Sequence, residues 1–401
     1  MKDTNVLKKP IEREELLRRA KELGELAEEH SLQSDKDGKL PDIVIEKMKE
    51  AEFHTLHRPK AYGGQDLDMK TFGEIIRTVA YHSVPAAWIT YFGIIHETWP
   101  SFLPKEGRDE LFGRGELMAD VFAPVGEVED ADDGDGYIVS GTWNFCSGVL
   151  WCDWIALGAI HKMRDGEEPE LSLFIVHKDD AEIIENWDTL GLRGTGSNAV
   201  KLDRAYVPSH YVFPISRVVQ GATAPDGNYE EDYKLFNVPY LAYFLSGFAQ
   251  VSIGGLTRLV DDYTNKTKSR VRIYNNKKNE KDGSSGQRTL GEITMEYNAL
   301  KNIADEILEK VEGYSQNGTR VLDEEEREKL FAMRGYVAKN SAELATRIII
   351  NLGGNALYRE GQSERFVRDL IAVASHPTHL YEDAMVGYGK SILGFDGHPM
   401  W

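Results

Sequence analysis

Basic residues are scarce and cysteines almost absent in this sequence of 401 residues, where 47 lysines and arginines face 66 aspartates and glutamates and only two cysteines occur. The formal net charge of −19 repels a phosphate backbone over most of the surface and excludes nucleic acid as a partner class. Cys146 and Cys152 share one apolar, aromatic stretch; two thiols build neither a disulfide framework nor a cysteine-based zinc site, and buried thiols in a reducing compartment are expected. The leading MKDTNVLKKPIEREELL lacks the apolar core of a secretory signal, so a cytoplasmic protein is expected. One uncharged run exists between Lys234 and Arg258, LFNVPYLAYFLSGFAQVSIGGLT, but Asn237, Pro239, Ser246, Gln250 and Ser252 dilute it and no second span accompanies it. It predicts a helix buried inside a bundle, not a membrane span.

What is present is patterned. Leu16, Leu17, Ala20, Leu23 and Leu26 recur at helical steps, and the chain stays helical in texture until about residue 117. From Phe122 onward, glycines, an acidic loop over Glu127–Asp135 and strand-like runs (WIALGAI, LSLFIV, AVKLDRAYV) predict an antiparallel β domain over 118–216. The acidic run lacks the spacing and terminal Glu of a calcium loop. After Pro214 the helical period returns: Leu290, Ile293, Tyr297, Leu300, Ala304, Ile307 and Val311 form one stripe. Leu330, Met333, Val337, Ser341, Leu344 and Ile348 form a second after Asn317-Gly318. Two long antiparallel helices within a four-helix bundle over 217–401 follow, giving an α+β chain in three domains.

Several stretches carry candidate chemistry. In WNFCSG, strand alternation puts Trp143 and Phe145 on one face, an apolar wall for a flat ring, and Ser147-Gly148 adds a hydroxyl and an unhindered N–H. LRGTGS, with Arg193 and Ser197, lacks the Lys and the helix start of a P-loop, and reads as a pocket loop or a plain tight turn. TKSRVR offers Arg270 and Arg272 to a phosphate. RFVRDLIAVASHPTH brings His376 and His379 together; a metal site would need a third ligand, and none with suitable spacing is visible. His96, in YFGIIHETWP, sits among apolar neighbours, which suits a core histidine or a catalytic one.

PKAYGGQDLD, APVGEVEDADDGDGYIVSGTWNFCSG, LGLRGTGSNAVKLDRAYVP, the GG of INLGGNALY and RFVRDLIAVASH, in this order, resemble the acyl-CoA dehydrogenase superfamily, and within it the oxygenase components of two-component flavin-dependent monooxygenases. The resemblance implies that Ala123, Trp143, Phe145 and Ser147 lie against the flavin ring, that Arg270, Gly353 and Gly354 hold the cofactor tail, and that Phe92, Arg193 and Ser197 line the substrate pocket. Dehydrogenases of this superfamily commonly carry a catalytic carboxylate about eight residues after the Arg-Asp pair. Here that count lands on Pro377, and Glu382 comes five residues later. His376 stands in that neighbourhood and implies the oxygenase branch. There, reduced flavin (FMNH2 or FADH2) from a separate reductase reacts with O2, and a C4a-hydroperoxyflavin oxygenates a small aromatic or heteroaromatic substrate. His376, Ser147 and His96 are then the catalytic candidates, in a cytoplasmic homotetramer with no metal. An acyl-CoA dehydrogenase with tightly held FAD and a flavin-free scaffold of the same fold are the alternatives.

Overall fold

The computed structural model describes residues 10–397 except 115–116, 133, 165, 167 and 274–276. The side chain of His379 and the start of the N-terminal stretch thus lie outside the described residues. Six helices come first: α1 (Arg13–Glu29), α2 (Ser31–Asp37), α3 (Asp42–Glu50), α4 (Met69–His82), α5 (Val84–Ile95) and α6 (Lys105–Arg114). Asp68 caps α4 by accepting from the Thr71 N–H, and Ser83 caps α5 by accepting from the Ala86 N–H, with Pro85 in the first turn. α5 is apolar all round because it is buried all round, between α4, the sheet and the C-terminal helices.

Seven strands follow: β1 (Met118–Asp130), β2 (Gly136–Trp143), β3 (Trp154–Lys162), β4 (Pro169–His177), β5 (Glu182–Ile184), β6 (Ala199–Pro208) and β7 (Val212–Phe213). They form one sheet in the order β5-β6-β2-β1-β3-β4-β7. The sheet is mixed, which corrects the expectation of an antiparallel one: β1 runs parallel to β3. Alternation within a strand reports which faces are buried and carries no information on the direction of its neighbour. β1 is also shared, pairing with β3 through Met118–Val121 and with β2 through Glu127–Asp130. Its register with β3 shifts between Val121 and Gly126, leaving Ala123, Pro124 and Val125 exposed.

The remainder is helical: α7 (Ile215–Val219), α8 (Tyr240–Phe244), α9 (Gly247–Ser269), α10 (Ser284–Asn317), α11 (Glu324–Leu352), α12 (Ser363–Ala374) and α13 (Tyr381–Ile392), with a two-strand hairpin, β8 (Val271–Arg272) and β9 (Lys278–Asn279), after α9. Gly318 ends α10 in the left-handed conformation at φ 67, a position that favours glycine, and Asp323 caps α11. The uncharged run divides between α8 and the first turns of α9, where every residue from Gly247 to Leu256 is buried. Among the described residues no helix is long and apolar enough to cross a membrane.

Candidate active site

Where α5, α9, α12 and the sheet converge, polar side chains form one continuous chain. The Trp88 indole N–H donates to Ser147 Oγ at 3.0 Å, Ser147 Oγ lies 2.8 Å from Ser197 Oγ, and Ser197 Oγ lies 2.7 Å from Thr195 Oγ1. Thr195 Oγ1 in turn donates to the Leu192 carbonyl at 2.8 Å. A carbonyl only accepts, so the Thr195 proton is committed there; Ser197 then donates to Thr195, and Ser147 to Ser197. The direction of the whole chain is fixed, and Ser147 faces its surroundings as an acceptor. The sequence reading set Ser147 against the flavin and Ser197 in the substrate pocket; the structure joins the two directly and adds Trp88 and Thr195.

The Arg-Asp pair of α12 anchors this chain. Asp369 accepts from the Leu192 N–H at 2.6 Å, and Arg368 reaches both Asp35 and the Leu190 carbonyl at 2.8 Å. Leu192 sits at φ 53 and Gly196 at φ 54, so the loop makes two left-handed steps in a few residues. Asp369 is buried, and desolvation lifts its pKa to about 7. Arg193 is held apart from the serines by Asp35 and Asp188. It braces the same loop from outside.

His376 closes the group from the end of α12. Its ring lies 5.4 Å from that of Trp88 and 4.9 Å from that of Phe248. The Thr378 backbone N–H donates to His376 Nδ1 at 3.3 Å and the Thr378 hydroxyl lies 2.9 Å from the same nitrogen, so the neutral ring carries its proton on Nε2. Enclosure among these rings, with the Arg334 guanidinium adding to it, pushes His376 down to about 4. The ring is neutral at physiological pH. Glu382, the carboxylate nearest in sequence, is exposed in the first turn of α13.

Two aromatics part company. Trp143 is fully buried, donates its indole N–H to the Gly158 carbonyl at 2.9 Å, and packs over Gly126 and Gly141, where a Cβ would come within 2.7 Å of the ring. Phe145 is 63% exposed. The expectation that they share a face is therefore corrected: β2 ends at Trp143, and Phe145 at φ 68 breaks the extended alternation. Phe145, two residues before Ser147, is exposed, as are Ala123 and Val125 on β1. Arg270 Nη1 donates to the Asn351 and Leu352 carbonyls at 2.9 Å, beside Gly353 at φ 84. The same guanidinium pairs with buried Glu280, which Arg272 also meets, so the cluster keeps one net positive charge, and half-exposed Arg272 presents it.

Phe92 links the halves of the site, 5.1 Å from Trp88 and 4.7 Å from His96 ring to ring. His96 is buried with both nitrogens turned inward: Nδ1 donates to the Met118 carbonyl at 3.1 Å and Nε2 lies 3.3 Å from Asp120 Oδ2. Burial lowers His96 to about 3 and raises Asp120 well above the carboxylate range, which favours the neutral form of both. Asp120 escaped the sequence reading because a strand Asp among apolar residues carries no motif. Trp88 left a readable trace: Trp88 and Phe92 on α5 and His96 just past its end recur every four residues. Among the described residues no group of three or more His, Cys, Asp or Glu side chains is placed to hold a metal ion.

Residues 246–380 match the family described as acyl-CoA dehydrogenase, C-terminal domain. The whole fold agrees: XiaF from Streptomyces sp., in complex with FADH2 and glycerol, superposes with a TM-score of 0.87 at 22% identity over 96% of both chains. The chain thus carries an acyl-CoA dehydrogenase C-terminal domain match over its helical end and shares the XiaF fold along nearly its whole length. It resembles the oxygenase component of p-hydroxyphenylacetate 3-hydroxylase from Acinetobacter baumannii, 24% identical over 90% of this chain and 85% of that one. A pigment production hydroxylase of Rhodococcus erythropolis is 27% identical over 91% of this chain and 93% of its own. TdsC from Paenibacillus sp. A11-2, with FMN and indole, has the same fold at a TM-score of 0.77 and 17% identity, covering 94% of this chain and 97% of that one.

Proposed function

We propose that this chain belongs to the acyl-CoA dehydrogenase superfamily and is the oxygenase component of a two-component flavin-dependent monooxygenase, oxygenating a small aromatic or heteroaromatic substrate. The observation that carries the reading is the oriented chain from Trp88 to Ser147 beside the neutral His376. The full-length relatives, named as hydroxylases and monooxygenases, support it. A flavin ring fits the residues present: exposed Phe145, Ala123 and Val125 offer an apolar wall, and Ser147 offers an acceptor to a ring N–H. The Arg270–Glu280–Arg272 cluster beside Gly353 and Gly354 suits the phosphate tail of FMN or FAD.

Reduced flavin, supplied by a separate reductase, brings the electrons that activate O2 when it is bound. The chain's own side chains position and protect. Ser147 holds its lone pair toward the ligand because its proton is committed to Ser197. His376 holds a proton at Nε2 and suits donation better than abstraction in this tautomer. Trp88, Phe92, Phe244 and Phe248 exclude water, which suppresses side reactions. His96 positions the Phe92 side of the pocket through packing. Exposed Ile350, Leu357, Tyr358, Ile392, Leu393 and Phe395 support assembly with further copies, as a cytoplasmic homotetramer.

The test mixes the protein and anaerobically reduced FMN or FADH2 with oxygenated buffer and follows flavin absorbance. Protein-dependent change in the rate of flavin oxidation is expected. Oxidation at the rate of free flavin, for both cofactors, would overturn the reading.

A further inference from the structure

On the far side of α8 from the sheet lies a groove that the flavin reading leaves unused. Pro239, Leu241, Leu245, Ile307, Leu330 and Phe331 line it, and Arg327 and Arg334 of α11 enter it. Arg334 is only 7% exposed and stacks over the Phe331 ring at 5.2 Å. Its Nη1 is buried without an acceptor, and among the described residues it has no ion pair. Arg327 contributes a second buried nitrogen without a partner, Nε, although its Nη2 lies 3.7 Å from buried Glu328. Arg334 has no such carboxylate against it among the described residues.

A guanidinium stays charged at neutral pH even when buried, and an unpaired buried charge is costly unless an anion meets it. The apolar walls add a requirement for a hydrophobic body behind that anion. We propose that this groove binds an apolar organic acid, its carboxylate paired with Arg334 and its body packed between α8 and α11. Tyr240 lines the groove, and its ring lies 5.5 Å from Phe244, which stacks at 4.9 Å on Phe122 beside the His96–Asp120 pair. The acid is therefore either the substrate, reaching past α8, or an effector that acts through α8. Binding is independent of the flavin reading and is measured without flavin.

The probes are phenylacetate and 4-hydroxyphenylacetate, with 2-phenylethanol as the neutral control, titrated into the full chain by calorimetry and thermal shift. Both acids should bind and raise the Tm, and the alcohol should do neither. Arg334→Met should weaken acid binding about tenfold or more, the loss of one charge-assisted contact. It should also raise the Tm of the unliganded protein, since it removes an unpaired buried charge. Arg334→Lys should bind acids with intermediate affinity. Adding reduced flavin and O2 separates the sources: an acid that is oxygenated is the substrate, and one recovered unchanged is the effector. Equal binding of acid and alcohol, or acid affinity untouched by Arg334→Met, overturns the proposal.

Discussion

The Trp88 indole N–H donates to Ser147 Oγ at 3.0 Å, and through that contact helix α5 holds the oxygen whose proton goes to Ser197. Replacing Trp88 by Phe keeps the ring and removes the donor. Ser147 keeps its bond to Ser197 but loses the contact that pins its oxygen against α5, and product formed per reduced flavin consumed should fall several-fold, consistent with about 1 kcal/mol for one hydrogen bond. Ser147→Ala should fall further, because the acceptor itself is gone. Measuring product against flavin oxidised, for both variants, checks the order; equal coupling in Trp88→Phe and the parent protein would contradict the orienting role.

Asp369 should shape the stability profile through the loop it holds. Its pKa rises from 3.8 to about 7 on folding, so between those values the folded chain carries more protons than the unfolded one. Stability from this group is full below pH 3.8 and is lost as pH rises through about 7. Asp369→Asn keeps an acceptor for the Leu192 N–H and removes the titration, so its Tm should vary less across that window. Asp369→Ala leaves the N–H buried without an acceptor and should cost about 1–3 kcal/mol at every pH. Denaturant unfolding at a series of pH values reads both.

How much of this site the sequence carried depends on the kind of signal. Ser147, Ser197 and the Arg-Asp pair of α12 sit in local motifs, and the folded chain joins them by direct hydrogen bonds. The two long helices were legible because their apolar stripes repeat over many turns. Trp143 misled because strand alternation was extended past the strand's end: the left-handed Phe145 is a backbone event that its side-chain type does not announce. The parallel β1–β3 pair and the buried Asp120 depend on which distant segments meet, and no local pattern encodes that. Arg334 belongs to the same class, an ordinary helix arginine until its surroundings are known.

His376 gives the opposite pH signature to Asp369. Its pKa falls from 6.5 to about 4, so within that interval the unfolded chain binds more protons and stability declines as pH falls. Arg334 is the charged group acting on it, and Trp88 and Phe248 pack its ring. In His376→Asn the loss of Tm between pH 7 and pH 4.5 should be smaller than in the parent. His57 and His96, both lowered to about 3 by burial, contribute the same sign and persist in the variant. The pH–rate profile should likewise lack a limb near pH 6.5 from His376; a limb there that vanishes in His376→Asn would show the ring titrating as an ordinary histidine.

Asp120 and His96 offer the sharpest test of protonation in the core. His96 Nδ1 must donate to the Met118 carbonyl, so in the neutral ring Nε2 is an acceptor, and it faces Asp120 Oδ2 at 3.3 Å. Two arrangements satisfy this contact: a neutral carboxylic acid beside a neutral ring, or a carboxylate beside an imidazolium. Burial without a third charge favours the first, and it moves both groups toward neutrality, Asp120 upward and His96 to about 3. Asparagine mimics the neutral acid, with its amide N–H able to face Nε2 as the carboxyl does. Asp120→Asn should therefore cost less than about 1 kcal/mol, within the usual worth of one neutral hydrogen bond. Were the pair ionic, the same change would strand a buried imidazolium and cost roughly 3–5 kcal/mol. Asp120→Ala, which removes the carboxyl facing Nε2, should cost about 1–3 kcal/mol in the neutral arrangement and as much as the Asn variant in the ionic one. Chemical denaturation of the two variants beside the parent decides between the arrangements: a small loss for Asn with a large one for Ala establishes the neutral pair, and comparable large losses establish the ionic one.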